Sequence, residues 1–440
     1  HPKWVEVRKS DCVVTLVSNY RNIMKKYIII IIASFPLISL GQSTVLKNVN
    51  IVDVINERII PNSTIEVKDG IILKVYNNSY TAGKEDKVID LTDKYVIPGL
   101  IDSHTHIEHS AYWTDESKYN PPRDNLIELL NHALLGGLTA IREMACDVRV
   151  IGELSRAAQI NNIASPNIYY PSIMGGPAFF EDPRAAAGSL GEIPGQVSWF
   201  RAIDDNTDLS NVIAQSKGNG SMALKLYALL TGEQIKNIAG EARRQDMKVW
   251  AHAYTQFAKP SEIVQSGVNS VSHAPGLLYE LSDKPDFSKY PEKDQLLQDV
   301  FNKMKLNNVS FDPTIFVYQN VLSIKNRSEV AKKITQKAHD AGVMIIAGTD
   351  SISAYRDQKL PFIHNELEYY ARDCEFSNME ALKTATINAA IALGIDSEIG
   401  SIDEKKKANL VILNENPLED IRNTRKIHFV MKDGIIYKSE

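Results

Sequence analysis

The chain has 440 residues, of which 44% are hydrophobic and 23% are charged, with a formal net charge of -5. This is the composition of an ordinary globular protein, which excludes collagen-like, coiled-coil and largely disordered chains. The net charge gives no basic surface for nucleic acid, so no nucleic-acid partner is expected. Three widely spaced cysteines form neither a disulfide framework nor a CxxC metal motif.

The amino end has the layout of a secretory signal peptide. A lysine pair follows Met24, and an apolar run spans 27–40. Because a membrane span needs roughly 20 residues, we expect a cleaved leader at 24–41 and no stable membrane anchor, with an uncleaved anchor or a buried helix as the alternative. Residues 1–23 are interpreted as an extraneous extension. We expect the mature protein to start near Gln42 and to be periplasmic or secreted.

Two β-rich pieces, at 42–96 and 400–440, flank the middle of the chain. Alternating apolar residues and turns such as Asp69-Gly70 predict short strands in both pieces. The predicted strands are 49–54, 63–67, 71–76, 87–91, 409–413, 427–431 and 435–438. Neither piece can bury both faces of a sheet alone, so we expect one small composite β-sandwich domain built from both chain ends.

Between these pieces, at 97–399, apolar strand-like runs alternate with helical periodicity. The strand candidates are 97–101, 140–143, 167–172, 223–227, 248–251, 270–272, 309–311 and 343–347. Helix starts lie between them, for example at the capping box of Thr231 and Gln234. Strands that alternate with helices form parallel βαβ units, and eight such strands in about 250 residues predict an α/β fold with a (β/α)8 TIM-like barrel.

The first predicted barrel strand leads into an HxH motif formed by His104 and His106. Residues two apart in a strand face the same way, so both imidazoles point into the barrel. Two imidazoles on rigid backbone form half of a metal site. The motif alone is weak support for a metal site in a chain with ten histidines.

Three further ligating residues, His252, His273 and Asp350, follow predicted strands. The carboxyl ends of barrel strands converge on one face, so these side chains are predicted to join the HxH motif there. Any one of them alone is more simply a core or surface residue. Their recurrence at successive strand ends favours a metal centre.

Lys225 lies in an apolar strand, where it and Tyr227 are predicted to face the barrel interior. Burial makes an ammonium group costly and favours a neutral, nucleophilic amine. Such an amine can capture carbon dioxide as a carbamate, whose two oxygens can bridge two cations. A lysine paired with a carboxylate, or an unmodified catalytic amine, is the alternative.

Taken together, these residues resemble the amidohydrolase superfamily, from about Thr44 to Glu440. The motifs that carry the resemblance are 96–106, 136–143, Lys225, His252, 272–273, 348–351, 400–403 and 416–418. The arrangement is similar to the imidazolonepropionase-like and Xaa-Pro-dipeptidase-like (prolidase-like) branch. The resemblance implies two metal ions bridged by carboxylated Lys225. Their other ligands would be His104, His106 and Asp350 on one ion, and His252 and His273 on the second.

The expected reaction is hydrolysis of an amide C–N bond in a dipeptide or an N-acyl amino acid. A divalent pair would lower the pKa of a bridging water to about 7 and so supply an activated hydroxide. Asp350 is predicted to accept the proton of that water and to pass it to the leaving amine. Tyr227 is a candidate donor to the developing oxyanion, with packing as its alternative role. Zinc suits histidine-rich sites, and manganese or iron are alternatives.

The long segment 173–222 is predicted to cover the substrate. Within it, Arg184 and Arg201 are candidates for binding a substrate carboxylate bidentately, although such arginines are often only solvated. Ser351, next to Asp350, is a further substrate-binding candidate. The expected partner is a small-molecule amide or dipeptide substrate. Assembly of the chain into a homo-oligomer is an open alternative.

Two other classes of function stay open. One is a mononuclear cyclic-amide hydrolase, imidazolonepropionase-like, or a deaminase. Deaminases of this fold are expected to place a glutamate near His252, where this chain has residues 253–256 of sequence AYTQ. The other is a barrel that binds a ligand without chemistry, and the full set of predicted metal ligands argues against it.

Overall fold

The computed structural model describes residues 42–77, 80–81, 83, 85–107, 123–182, 185, 189, 191–291, 294–351 and 360–438. The predicted leader at 24–41, the extension before it and the predicted substrate-binding Arg184 lie outside the described residues. Among the helices that the structure does describe, none is long and apolar enough to cross a membrane.

Strands and helices alternate through the middle of the chain, and strands dominate both ends. The strands are β1 Thr44–Asp53, β2 Arg58–Lys68, β3 Ile71–Asn77, β4 Lys87–Asp90, β5 Tyr95–Pro98, β6 Leu100–Thr105, β7 Leu138–Glu143, β8 Asn167–Tyr169, β9 Pro171–Gly175, β10 Gln196–Val197, β11 Phe200–Ala202, β12 Ala223–Leu226, β13 Lys248–His252, β14 Ser270–Ser272, β15 Ser310–Asp312, β16 Leu410–Leu413, β17 Ile427–Lys432 and β18 Ile435–Tyr437. The α-helices are α1 Arg123–Leu135, α2 Val148–Gln159, α3 Leu209–Gly218, α4 Gly232–Arg244, α5 Pro260–Gln265, α6 Gln295–Leu306, α7 Lys325–Asp340, α8 Ile363–Asp373, α9 Asn378–Thr384 and α10 Ile387–Leu393.

Helix α4 illustrates how the local sequence forms these elements. The Thr231 side chain accepts the N–H of Gln234, and the Gln234 side chain accepts the N–H of Thr231, which completes the predicted capping box. Its buried residues Ile235, Ile238 and Ala242 recur every three or four positions, so one face of the helix packs against the barrel.

Strands from both chain ends form one eight-stranded sheet, in the order β18-β17-β16-β5-β1-β2-β3, with β4 paired to β1. Its two faces enter different apolar cores. Leu410 and Ile412 pack in the core of the sheet itself, whereas Val411 between them packs in the barrel core. Because successive residues in a strand face opposite ways, a one-residue shift of β16 would exchange the two sets. We call this element the composite sheet.

The barrel consists of parallel strands in two hydrogen-bonded groups, β6-β7-β8 and β9-β12-β13-β14-β15. Tyr170 interrupts the third barrel strand and divides it into β8 and β9. The short strand β11 pairs with β9 at this point. The segment 343–350 fills the eighth strand position, because Phe311 of β15 donates its N–H to Met344 (3.0 Å) and Ala347 accepts the N–H of Ser103 in β6 (2.7 Å). The predicted (β/α)8 class is confirmed.

Besides the strand predicted at 167–172, which is divided at Tyr170, two predicted barrel strands differ from the structure. The strand predicted at 97–101 is wrong at its start, because Pro98 belongs to β5 and pairs with Leu410, and the barrel strand begins at Leu100. Gly99 separates the two sheets, and a Cβ atom there would lie 2.1 Å from Thr139 Oγ1. A continuous apolar run does not show where one sheet ends and the next begins.

The second difference lies at 343–347, where a regular strand was predicted. The structure has an irregular segment with a single bridge, from Ile345 to Phe311. Its apolar residues are buried as a strand's would be. Its backbone follows β6 into the predicted metal site, where Asp350 donates its N–H to the carbonyl of His104 (2.9 Å).

Candidate metal centre

The predicted ligands all lie at carboxyl ends of barrel strands. His104 is in β6, and His106 follows the end of that strand. Lys225 is the last residue but one of β12, and His252 is the final residue of β13. His273 follows β14 directly. Parallel strands bring these ends to one face of the barrel, which is why residues so far apart in sequence meet.

His104, His106 and Asp350 form the tightest group. Their ligating atoms lie within 4.8 Å of one another. Nε2 of His106 is 2.9 Å from Asp350 Oδ1, and Nε2 of His104 is 3.4 Å from the same oxygen. Burial alone raises the pKa of the Asp350 carboxyl, but the neighbouring histidines hold it well below its usual range. Asp350 therefore offers an anionic carboxylate to the predicted metal site at neutral pH.

His252 and His273 extend this group across the barrel mouth. The ring of His273 lies 4.9 Å from that of His104 and 4.8 Å from that of His252, measured between centroids. Nδ1 of His273 is 3.8 Å from Asp350 Oδ2. The four histidines and Asp350 therefore form one continuous cluster.

The donor set fits a divalent metal. Nδ1 of His104 contacts Asp312 Oδ1 at 3.1 Å, and Nδ1 of His273 contacts Thr314 Oγ1 at 3.0 Å. Metal-binding imidazoles commonly have such a partner on the second nitrogen, which orients the ring and leaves the first nitrogen for the ion. His104, His106 and Asp350 present two imidazole nitrogens and a carboxylate, a combination that suits zinc.

Lys225 is fully buried, and its Nζ donates to Ser272 Oγ at 3.1 Å. Burial lowers the pKa of Lys225 to about 7. A large fraction of the amine is therefore neutral at physiological pH, which is the form that can react with carbon dioxide.

Two cluster residues have left-handed backbone. Asp350 has φ of 56° and His273 has φ of 76°, a conformation in which non-glycine residues are uncommon. Backbone hydrogen bonds hold both, since Asp350 donates to His104 and His273 donates its N–H to Asp312 O (3.0 Å). Such strain persists where the surrounding structure over-determines it, as it does at functional sites.

The predicted substrate residues are placed differently. The Tyr227 ring packs against His252 at 4.3 Å and stacks on Phe179 at 4.8 Å, so it borders the cluster. Ser351 follows Asp350, and its N–H donates to Thr349 Oγ1 (3.2 Å). Arg201 is in β11, where its guanidinium donates to Gln196 O (2.8 Å); its described contacts do not include the metal ligands.

Sequence reasoning missed Asp312 and Arg142. Both are fully buried below the cluster and form an ion pair with each other. Asp312 ends β15 just as His252 ends β13, so the strand-end rule that selected the histidines could have found it. Arg142 is one residue before the end of β7, within a motif that had no assigned role.

The geometry agrees with what comparisons with known proteins find. A model of the amidohydrolase family matches residues 227–436. The matched stretch is 210 of the 440 residues, and over it the chain is similar to amidohydrolases. An adenine deaminase of Clostridium botulinum (strain 657 / Type Ba4) is 22% identical over 404 residues, with coverage of 90% of this chain and 58% of the deaminase. The chain thus spans less than two thirds of that relative's length.

Two further relatives match over most of their length. Ochratoxinase of Aspergillus niger is 23% identical over 425 residues, covering 86% of this chain and 83% of that protein. Its crystal structure superposes with a TM-score of 0.71, at 20% identity, over 91% of this chain and 96% of the other. The crystal structure of a Xaa-Pro dipeptidase with bound methionine in the active site gives the same TM-score, 0.71, at 20% identity, over 90% and 100% of the two chains. These structural likenesses show the fold.

Proposed function

We propose that this chain is a metal-dependent hydrolase that cleaves an amide C–N bond in a dipeptide or an N-acyl amino acid. The observation that carries the proposal is the convergence of His104, His106 and Asp350 beside a fully buried Lys225. The name of the Xaa-Pro dipeptidase among the structural neighbours supports a dipeptide substrate.

Two divalent ions, zinc in the first instance, would be held by the predicted ligands. One would take His104, His106 and Asp350, the other would take His252 and His273, and carboxylated Lys225 would bridge them. Bound there, the ions would lower the pKa of water to about 7 and polarise the scissile carbonyl.

Asp350 would transfer a proton from the attacking water to the leaving amine. Its carboxylate is anionic and lies at the centre of the cluster, so it can accept a proton from the attacking water. The water oxygen bonds to the carbonyl carbon, the C–N bond breaks, and Asp350 returns the proton to the leaving amine. Tyr227 borders His252 and would donate its hydroxyl hydrogen to the developing oxyanion.

An aromatic wall beside the cluster supports an apolar substrate group next to the scissile amide. Phe179 stacks on Tyr227, and both rings are only partly buried. Phe180 and Phe200 pack behind them, with ring centroids 5.2 Å apart. Arg184 and Arg201 remain the candidates for the substrate carboxylate. A periplasmic or secreted location is part of the proposal and is checked by cell fractionation.

One observation favours a single-metal enzyme as a second candidate. Among the described residues, His104, His106 and Asp350 are the group of three ligating side chains whose atoms lie within 4.8 Å of one another. A mononuclear cyclic-amide hydrolase would need no bridge at Lys225. The two candidates therefore differ in metal content.

Metal content per chain, measured on protein expressed with bicarbonate, tests the proposal. We expect about two metals in the wild type and a sharp fall in Lys225→Ala. Lys432→Ala is the matched control, because Lys432 is equally buried but bonds to Ala158 O and Asn161 Oδ1 outside the site. Two metals would justify a screen of dipeptides and N-acyl amino acids.

The other outcomes are equally informative. One metal that Lys225→Ala leaves unchanged would reject the carbamate and direct the screen to cyclic amides. No metal and no turnover would leave a ligand-binding barrel.

A further inference from the structure

A buried carboxylate lies directly under the metal cluster. Asp312 is fully buried at the end of β15, and three side chains contact its carboxylate. Its Oδ1 contacts His104, and its Oδ2 contacts Ser272 and Arg142. The proposed reaction gives Asp312 no chemical role, although a buried carboxylate is costly to retain.

The first contact determines which nitrogen of His104 faces the metal. Nδ1 of His104 lies 3.1 Å from Asp312 Oδ1. An ionised carboxylate can only accept, so Nδ1 must carry the hydrogen of a neutral imidazole. The lone pair is then on Nε2, the atom that faces Asp350.

The second contact connects Asp312 to Lys225 through Ser272. Ser272 Oγ donates to Asp312 Oδ2 at 3.0 Å, and Lys225 Nζ lies 3.1 Å from the same Oγ. A serine hydroxyl has one hydrogen, and the carboxylate takes it. The serine oxygen must therefore accept from Lys225, which orients the amine through a single hydroxyl group.

Arg142 makes the charge of Asp312 tolerable. Its guanidinium pairs with Asp312 Oδ2, donates to the carbonyl of Ser103, and lies 4.8 Å over the Trp250 ring. Arg142 is fully buried too. A buried ion pair of this kind is retained only where its hydrogen bonds are satisfied. The Arg142–Asp312 pair therefore fixes the carboxylate that contacts His104 and Ser272.

We propose that Asp312 is a positioning residue for two metal ligands, holding His104 directly and Lys225 through Ser272. The inference rests on the proposed function. It assigns to one carboxylate the orientation of a terminal ligand and of the bridging residue. Loss of the Ser272 hydroxyl should therefore disturb Lys225 alone, and loss of Asp312 should disturb both Lys225 and His104.

Two buried serines provide a matched test. Ser272 and Ser310 are both fully buried on barrel strands, and the Ser310 hydroxyl donates to Asn269 O (3.1 Å), outside this network. Ser272→Ala should release metal to a chelator about 10- to 100-fold faster than wild type, because loss of a ligand's supporting partner typically costs that factor in affinity. The carbamate carbon signal in protein grown with ¹³C-bicarbonate should fall in Ser272→Ala. Ser310→Ala should retain wild-type metal and carbamate.

Asp312→Asn provides the second variant. It should lose more metal than Ser272→Ala, because both His104 and Lys225 lose their support, with thermal unfolding of the metal-free protein recorded to separate metal affinity from stability. If Asp312→Asn does not fold, the serine pair still decides. Equal metal retention in Ser272→Ala and Ser310→Ala, in a wild type that holds two metals, overturns the inference alone. A wild type without metal overturns the proposed function and the inference with it.

Discussion

The composite sheet and the barrel mouth bury side chains for opposite reasons. In the composite sheet, alternate residues such as Ile412 and Val411 enter two apolar cores, and each buried side chain stabilises the fold. At the barrel mouth, the fully buried residues include Lys225, Arg142 and Asp312, whose burial costs free energy unless every charge is paired. Burial therefore stabilises the fold in the composite sheet and costs folding free energy at the barrel mouth, because a metal site needs charged ligands shielded from water.

Backbone geometry does not follow this division. The composite sheet has register shifts and holds Asn48 and Asn62 at positive φ, just as the barrel mouth holds His273 and Asp350. The two regions differ in which side chains they bury, so substitutions in them should change different observables.

The largest effect is expected at Asp350. Asp350→Asn keeps a residue type that tolerates the left-handed conformation, so the fold should survive. Loss of the general acid–base group should lower kcat by about 10²- to 10⁴-fold. Steady-state kinetics on a dipeptide, with circular dichroism as the fold control, measures this. A kcat close to that of the wild type would assign proton transfer to another group.

Tyr227→Phe should have the next largest effect. The substitution keeps the ring contacts with Phe179 and His252 and removes only the hydroxyl. Loss of an oxyanion donor should lower kcat by about 10²- to 10³-fold, with little change in metal content. An unchanged kcat would assign Tyr227 to packing alone.

A core substitution in the composite sheet should give the reverse pattern. Ile65 is fully buried in β2, in the core of that sheet. Ile65→Ala should lower the free energy of unfolding by about 2–5 kcal/mol through lost apolar contact and a cavity. Metal content and kcat of the folded fraction should not change. A loss of metal in this variant would contradict the separation of the two regions.

The smallest effect is expected at His364, which lies in neither region, near the start of α8. Its ring contacts Gly136 O (2.9 Å) and Thr424 Oγ1 (3.0 Å), and burial lowers its pKa to about 4. Below pH 6.5 the unfolded chain binds a proton there that the folded chain cannot, so stability is lost as pH falls from about 6.5 towards 4.

Urea unfolding at pH 7 and pH 5 checks this linkage. Wild type should lose more stability between the two values than His364→Gln, which cannot titrate. If the free energy of unfolding of His364→Gln changes with pH as much as that of the wild type, His364 is excluded as the titrating group.

The convergence of the predicted ligands followed from periodicity and one topological rule. Apolar runs predicted the strands, and the rule that barrel strand ends share a face brought together His104, His252 and Asp350. The composite sheet followed from the size of its two pieces, each too small to fold alone. These features depend on local pattern, which a sequence displays directly.

Pairings across the barrel were not predictable in this way. Arg142 and Asp312 are 170 residues apart, and Asp312 and His104 are 208 apart, so no local pattern relates them. The break at Tyr170 and the boundary at Gly99 were missed for the same reason, since both depend on which strand lies alongside.

By itself, the sequence determined the fold class and that the predicted metal ligands meet at the barrel mouth, because strand periodicity and strand ends are local properties. Only the tertiary structure decided what holds those side chains in place. Asp312 contacts His104 and Ser272 because three distant strands pack side by side around one interior. That packing depends on the whole barrel, since a buried charge is stable only when all of its partners arrive together.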